Sequence, residues 1–196
     1  MTEGMLAELT GGDAPAWATA PLQGLERVLL PRVDAGWLAP PLAGRNSADG
    51  VGLLLALHRV VDVDGTFADL RHVLRPGATL VLVSPSMSTR SVEDLRWRSV
   101  LRPVRRGPWR HRAALDDASW LLTAADFAVL GDERVPFALP LPDAKAALRA
   151  IDALPAAGLW PDLPGEARAE LAAALVARAG PGCALPVPLR RLVARR

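Results

Sequence analysis

The sequence predicts an α/β fold, a parallel sheet with helices on both faces, and three adjacent observations carry that prediction. Residues 51–57, Val-Gly-Leu-Leu-Leu-Ala-Leu, form an unbroken apolar run, the pattern of a strand buried on both faces. Residues 66–74 place Phe67, Leu70, Val73 and Leu74 on one helical face, with Asp69, Arg71 and His72 on the other. Pro76-Gly77 stops that helix, and residues 79–84 make a second apolar strand. Strand, crossover helix and strand in this order form one βαβ unit.

The remaining elements follow along the chain. Thr2 is placed to cap a short helix over residues 2–9, with Met5, Leu6 and Leu9 on one face and Gly11-Gly12-Asp13 at its end. Residues 28–33 read as a strand that Pro31 weakens or pushes to an edge. Asp34-Ala35-Gly36 then opens a loop that reaches Asn46. Beyond the βαβ unit, residues 91–101 are expected to be helical and 103–112 a basic loop broken by proline. A helix over 116–125 precedes a strand over 127–139, interrupted near Gly131-Asp132-Glu133. Two alanine-rich amphipathic helices, 143–154 and 165–179, flank a Pro-rich connector, and residues 184–194 form a last strand. His72 lies on a polar helix face and is expected in solvent.

Composition bounds the function. A chain of 196 residues with 51% hydrophobic residues can bury a full core in one domain. No apolar run approaches the ~18–20 residues a membrane span needs, and the N-terminus lacks a signal-peptide pattern. One cysteine, Cys183, excludes an internal disulfide and fits a reducing compartment, so the expected location is the cytoplasm. Of the 23 basic residues only Lys145 is lysine, yet the net charge is +2. Arginines crowd residues 90–112, and Arg190-Arg191 and Arg195-Arg196 lie in the tail. These read as solvated faces, with a phosphate-binding patch as the competing possibility. No nucleic-acid-reading motif accompanies them, so neither nucleic acid nor membrane is an expected partner.

Residues 46–86 resemble the class I S-adenosylmethionine-dependent methyltransferases, in their small-molecule, quinone-biosynthesis-like branch. The resemblance rests on Ser47-Ala48-Asp49-Gly50-Val51, Leu57-His58-Arg59-Val60 and His72-Val73-Leu74-Arg75-Pro76-Gly77-Ala78, in family order. It implies a Rossmann-like sheet with an antiparallel last strand. It also implies one methyltransferase-like domain over residues 1–196. Within it, 1–90 form the cofactor-side half, 91–125 a helical and basic segment, and 126–196 the C-terminal strands with a helical insertion. The family's front is missing: no Gly-x-Gly-x-Gly turn occurs, and Met1 aligns with a point after the family's second strand. The resemblance therefore implies an incomplete sheet, a gap beside the fourth strand, and impaired activity.

The resemblance further implies S-adenosylmethionine as cofactor. Asp34 matches the carboxylate that meets the adenine amino group, and Ala35 and Gly36 would pack on the ring. A loop carboxylate satisfied by local backbone is the alternative for Asp34. Ala56 and Leu57 end the apolar strand where open α/β sheets bind ligands, and by resemblance their backbone borders the methionine part. His58 is the candidate general base; the alternative is a histidine that shapes the pocket. Asp49 is expected to tie down backbone, and Ser84-Pro85-Ser86 to end the next strand on the ligand side. Trp109, His111 and Trp120 would belong to a lid or to core packing.

Other chemistries have little support. Cys183 and three histidines lack metal-ligand spacing, Ser84-Pro85-Ser86 lacks the glycines of a nucleophile elbow, and no phosphate-cradling Gly-Lys-Ser/Thr run occurs. Two functions follow. One is methyl transfer to a small organic molecule. The other is a non-catalytic methyltransferase-like protein acting as a partner or regulatory subunit, with homodimerisation or a paralogue covering exposed strand edges.

Overall fold

The computed structural model describes residues 13–39, 44–88 and 92–196. The helix expected over residues 2–9 lies outside them, and Asp13, expected to end it, instead opens helix α1 (Asp13–Thr19). Seven strands follow. β1 (Val28–Leu29), β4 (Ala48–Leu54), β5 (Leu74–Pro85), β6 (Ala128–Pro140) and β7 (Ala184–Arg195) form one sheet in the order β1-β4-β5-β7-β6. β1, β4 and β5 are parallel, and β7 runs antiparallel to both its neighbours. β2 (Arg32–Asp34) and β3 (Trp37–Ala39) form a separate hairpin. The expected α/β sheet with its antiparallel last strand is present.

Alternation along the central strands builds a core on each face. Val81 and Val83 face a cluster with Leu185, Val187 and Leu189, while Leu80 and Leu82 face one with Val51, Leu53 and Leu192. Period-two alternation in β5 therefore serves two helical layers at once. Helix α2 (Val63–Val73) is the crossover; Asp62 caps it by accepting from Gly65 N at 2.9 Å, and it ends before Arg75-Pro76. It buries Phe67, Leu70 and Val73 and leaves His72 in solvent, as the sequence indicates.

Residues 28–33 do not make one strand. Leu30-Pro31 interrupts them, since proline has no N–H for the ladder, and the chain divides into β1 and the hairpin strand β2. The expected gap beside β4 is filled, because β1 itself pairs there, Val28 with Gly50 and Leu29 with Val51. Asp49 holds this arrangement: its carboxylate accepts from Arg27 N at 3.1 Å and pairs with Arg75 at 2.6 Å. Two glycines make the approach possible, since a Cβ on Gly50 or Gly52 would lie within 2.8 Å of Leu22 and Leu25 or 2.6 Å of Leu30.

The segment after β5 is more helical than expected. α3 (Val92–Trp97) is followed by α4 (Arg102–Arg106), inside the stretch read as beginning a basic loop; Pro103 sits in its first turn, where its missing N–H costs nothing. α5 (Ala113–Asp116) and α6 (Ala118–Ala124) replace the single helix expected there. α7 (Ala144–Ala156) and α8 (Gly165–Arg178) form the insertion between β6 and β7, and Asp143 caps α7. β6 continues through Gly131-Asp132-Glu133 by means of a bulge between Val129 and Gly131. No helix among the described residues is long and apolar enough to cross a membrane.

Candidate functional site

The carboxyl end of β4 opens onto a cleft of about 490 Å³ between the β2–β3 hairpin, residues 108–110 and the end of α7. Three structural pieces make it. The first is the turn joining β2 to β3. Ala35 (φ 49°) and Gly36 (φ 90°) are both left-handed, as a type I′ turn requires. The Gly36 carbonyl accepts from Val61 N at 2.7 Å, and a Cβ on Gly36 would meet Val61 Cγ2 at 2.5 Å. Only glycine permits that contact.

The second piece is the strand end. β4 stops at Leu54, three residues before the expected end, because Leu55 turns left-handed (φ 54°). That conformation costs a bulky residue on the order of 1 kcal/mol. Burial of Leu55 and its N–H bond to Val83 O at 2.8 Å hold it there. A short 3-10 turn, Leu57–Arg59, then carries His58.

The third piece is the end of α7. Gly158 N–H reaches Pro155 O at 2.8 Å and Leu159 N–H reaches Leu154 O at 2.9 Å, with Gly158 at φ 77°. These bonds are a Schellman motif, closed by the buried Leu154 and Leu159. The motif leaves the Gly158 carbonyl directed at His58, whose Nε2 lies 2.7 Å away. A carbonyl oxygen only accepts, so Nε2 carries the ring proton and Nδ1 is left with its lone pair. Nδ1 is buried and has no hydrogen-bond partner among the described residues. Trp109 packs edge-on to the ring at 5.4 Å.

Burial pushes the His58 pKa from 6.5 down to about 4; the Gly158 hydrogen bond opposes this and the Arg59 charge adds to it. His58 is therefore neutral near pH 7. Its Nε2 proton is committed to the Gly158 carbonyl, and its buried Nδ1 keeps the lone pair. A stability consequence follows. The unfolded chain binds a proton at His58 between pH 6.5 and 4 and the folded chain does not, so this contribution is whole above pH 6.5. It is lost as pH falls to about 4. The window amounts to about 3 kcal/mol. Denaturant titrations from pH 7 to 4 should show H58N losing that much less stability than the wild type; equal slopes would contradict it.

Of the residues expected at the site, the structure brings Ala35, Gly36 and His58 to one cleft. Asp34 is exposed at the end of β2, beside the cleft and not in its lining. Ala56 and Leu57 are buried, with side chains in the core on the α2 side, and neither is in the cleft lining. Sequence reasoning missed Gly158, which meets His58 across 100 residues. It also missed Arg59, Arg110, Trp160 and Asp162, which line the cleft. An Ala-Ala-Gly end to a helix is a readable C-cap signal, but the identity of the residue its carbonyl faces is not local information.

Ser86 lines a smaller pocket of about 50 Å³ at the end of β5, with Pro85, Met87 and the buried Asp94. Trp120 is largely exposed, which excludes the core packing considered for it, and His111 bonds Val61 O at 3.2 Å. No group of histidine, cysteine and acidic residues able to hold a metal occurs among the described residues.

The resemblance raises the question of whether these residues suit S-adenosylmethionine. At the carboxyl end of β1, the place beside β4, the chain has Leu30-Pro31-Arg32, with no glycine and one N–H missing. A glycine-rich backbone cradle is not made there. The cleft offers side chains instead: Arg59 and Arg110 for a carboxylate, Asp162 and the neighbouring Asp34 for an ammonium or hydroxyls, and Trp109 and Trp160 as apolar walls. Its volume lies within the range of small-molecule sites. The residues fit the group by side chains rather than by backbone.

No family model matches the chain, and no curated protein matches it. Solved structures that resemble it over nearly their whole length include two methyltransferases. One is a provisionally named methyltransferase of Bacillus halodurans, 13% identical, with 90% of this chain and 95% of that one covered at a TM-score of 0.52. The other is a provisionally named methyltransferase from an antibiotic biosynthesis pathway of Anabaena variabilis, 16% identical, with 100% and 96% covered at a TM-score of 0.51. At such identities the likeness establishes a shared fold.

Proposed function

We propose that this chain, which has the class I methyltransferase fold, transfers a methyl group from S-adenosylmethionine to a small organic molecule. One observation carries the reading: the cleft lies at the carboxyl end of β4, where sheets of this kind place ligands, and the Ala35-Gly36 turn and His58 converge on it. When bound, S-adenosylmethionine supplies an electrophilic methyl group on a sulfonium centre.

The chain's own residues would bind and orient. Asp34 would accept from the adenine amino group, Ala35 and Gly36 would pack on the ring, and the backbone at Ala56-Leu57 would border the methionine part. His58, through Gly158, would fix the insertion over the cleft. Aligning acceptor and sulfonium is the larger part of catalysis in such a transfer, which suits a site whose histidine is neutral and engaged. The lone Cys183 suits a cytoplasmic setting.

Calorimetry of the folded chain with S-adenosylmethionine and S-adenosylhomocysteine tests the reading. Saturable binding with one site per chain is expected, abolished by a bulky substitution at Gly36. A folded chain that gives no heat overturns it and favours the second function, a non-catalytic methyltransferase-like partner or regulatory subunit. The Leu30-Pro31-Arg32 sequence in the glycine-turn position is the feature that would then be decisive.

A further inference from the structure

Arg59 and Arg110 each rest on a left-handed glycine of the cleft. A Cβ on Gly158 would lie 2.9 Å from Arg59 Cδ and 3.3 Å from its Nη1, and a Cβ on Gly36 would lie 3.1 Å from Arg110 Nη1. The two glycines thus make room for the two guanidinium groups as well as for the backbone contacts. Neither arginine has a carboxylate within ion-pair distance among the described residues. The cleft lining holds one acidic residue, Asp162, against these two cations, and His58 adds no charge near neutrality. The cleft lining is therefore net positive, with Asp34 exposed beside it. Its other walls include the indoles of Trp109 and Trp160, and beneath them the His58 Nδ1 acceptor is buried without a partner.

We infer that Arg59 and Arg110 form a carboxylate-binding pair at this cleft, taking an organic acid whose apolar body lies against Trp109 and Trp160. Planar guanidinium groups suit carboxylates because their paired N–H donors match the two oxygens. The ligand's apolar part would take up the aromatic surface, and an analogue lacking the carboxylate would leave both guanidinium groups without its oxygens. The inference deepens the proposed function by assigning an anionic group to whatever fills the site. That group has two sources, the aminoacyl carboxylate of the cofactor or a carboxylate on the methyl acceptor.

Ligand-observed NMR titrations with two matched pairs separate the sources. One pair is benzoate and benzamide; the other is S-adenosylhomocysteine and its decarboxylated counterpart. In at least one pair the carboxylate member should bind about tenfold tighter or more, the scale of one charge-assisted hydrogen bond. R59Q and R110Q should each reduce that preference and the double variant should erase it, whereas R149Q, at an exposed position on α7, should not. All three positions are exposed, so melting temperatures should stay near wild type. Preference confined to the benzoate pair assigns the carboxylate to the acceptor, and preference confined to the nucleoside pair assigns it to the cofactor. Benzoate preference without any S-adenosylhomocysteine binding keeps the arginine pair and removes the cofactor reading. No tenfold preference in either pair, or a preference that survives the double variant, overturns the inference.

Discussion

Arg190→Met is expected to lower the unfolding free energy by about 3 kcal/mol, the scale for removing one partner of a buried ion pair. Arg190 is 3% exposed on β7. Its Nε and Nη2 donate to the two carboxylate oxygens of Asp132 at 2.9 and 2.8 Å, and its Nη1 donates to Leu115 O and Asp116 O, both at 3.0 Å. Those carbonyls lie at the end of α5, where intrahelical donors run out. One side chain therefore ties β6, β7 and the 113–116 helix together. Methionine fills much of the volume and supplies none of the donors, so one buried and one part-buried carbonyl lose this donor, and the Asp132 carboxylate loses its bidentate partner while keeping Arg134 at 3.2 Å. Urea denaturation should give the free-energy loss, and thermal melting a drop of about 6–12 °C for a chain of this size. R190K should fall between, since an ammonium cannot serve a bidentate carboxylate and two carbonyls at once. A loss under about 1 kcal/mol for R190M would contradict this account of the network.

Gly158→Ala is expected to cost about 2–3 kcal/mol and to open the cleft floor. About 1 kcal/mol comes from holding a side chain at positive φ, and the rest from overpacking. The new methyl group would meet Arg59 Cδ at 2.9 Å and Leu55 O at 3.1 Å. Arg59 is exposed and can give way. Leu55 cannot, because it is buried, already left-handed and bonded to Val83. The end of α7 must therefore move, taking the Gly158 carbonyl from His58. Desolvation is the main cause of the low His58 pKa, so admitting water should raise it toward 6.5. NMR titration of the His58 ring separates this from simple loss of stability: a destabilised variant with His58 still near 4 would show that the carbonyl had not moved.

Much of the fold was legible in the chain because its signals are local. The apolar run after Asp49, the amphipathic crossover and Pro76-Gly77 each depend on neighbours within a turn or two, and the antiparallel last strand followed from the resemblance. Where β1 would pair was not legible. Leu30-Pro31 announced an interruption, but the filling of the place beside β4 depends on Asp49 meeting Arg27 and Arg75. The arginines of the tail misled for a related reason. Arg190 and Arg191 read as solvated charge, yet Arg190 is in phase with Leu192 and Ala194 on the inner face of β7. Arg191 lies over the Trp17 ring at 4.8 Å and pairs with Glu133 at 2.5 Å. The phase was in the sequence; the partners 58 residues away were not. The candidate site divides in the same way. His58 and Ala35-Gly36 could be marked by their position after strands, whereas Gly158, Arg59, Arg110 and the two tryptophans become a site only through the docking of α7 and residues 108–110.

The central claim is that the cleft at the end of β4 is the ligand site. Backbone-amide NMR of the full chain titrated with S-adenosylhomocysteine tests it directly. The account predicts saturable shifts concentrated at Ala35, Gly36, His58, Arg59, Arg110 and Gly158. Shifts centred elsewhere, at the small pocket beyond β5 or along the β6 edge, or none at all from a folded chain, would contradict it.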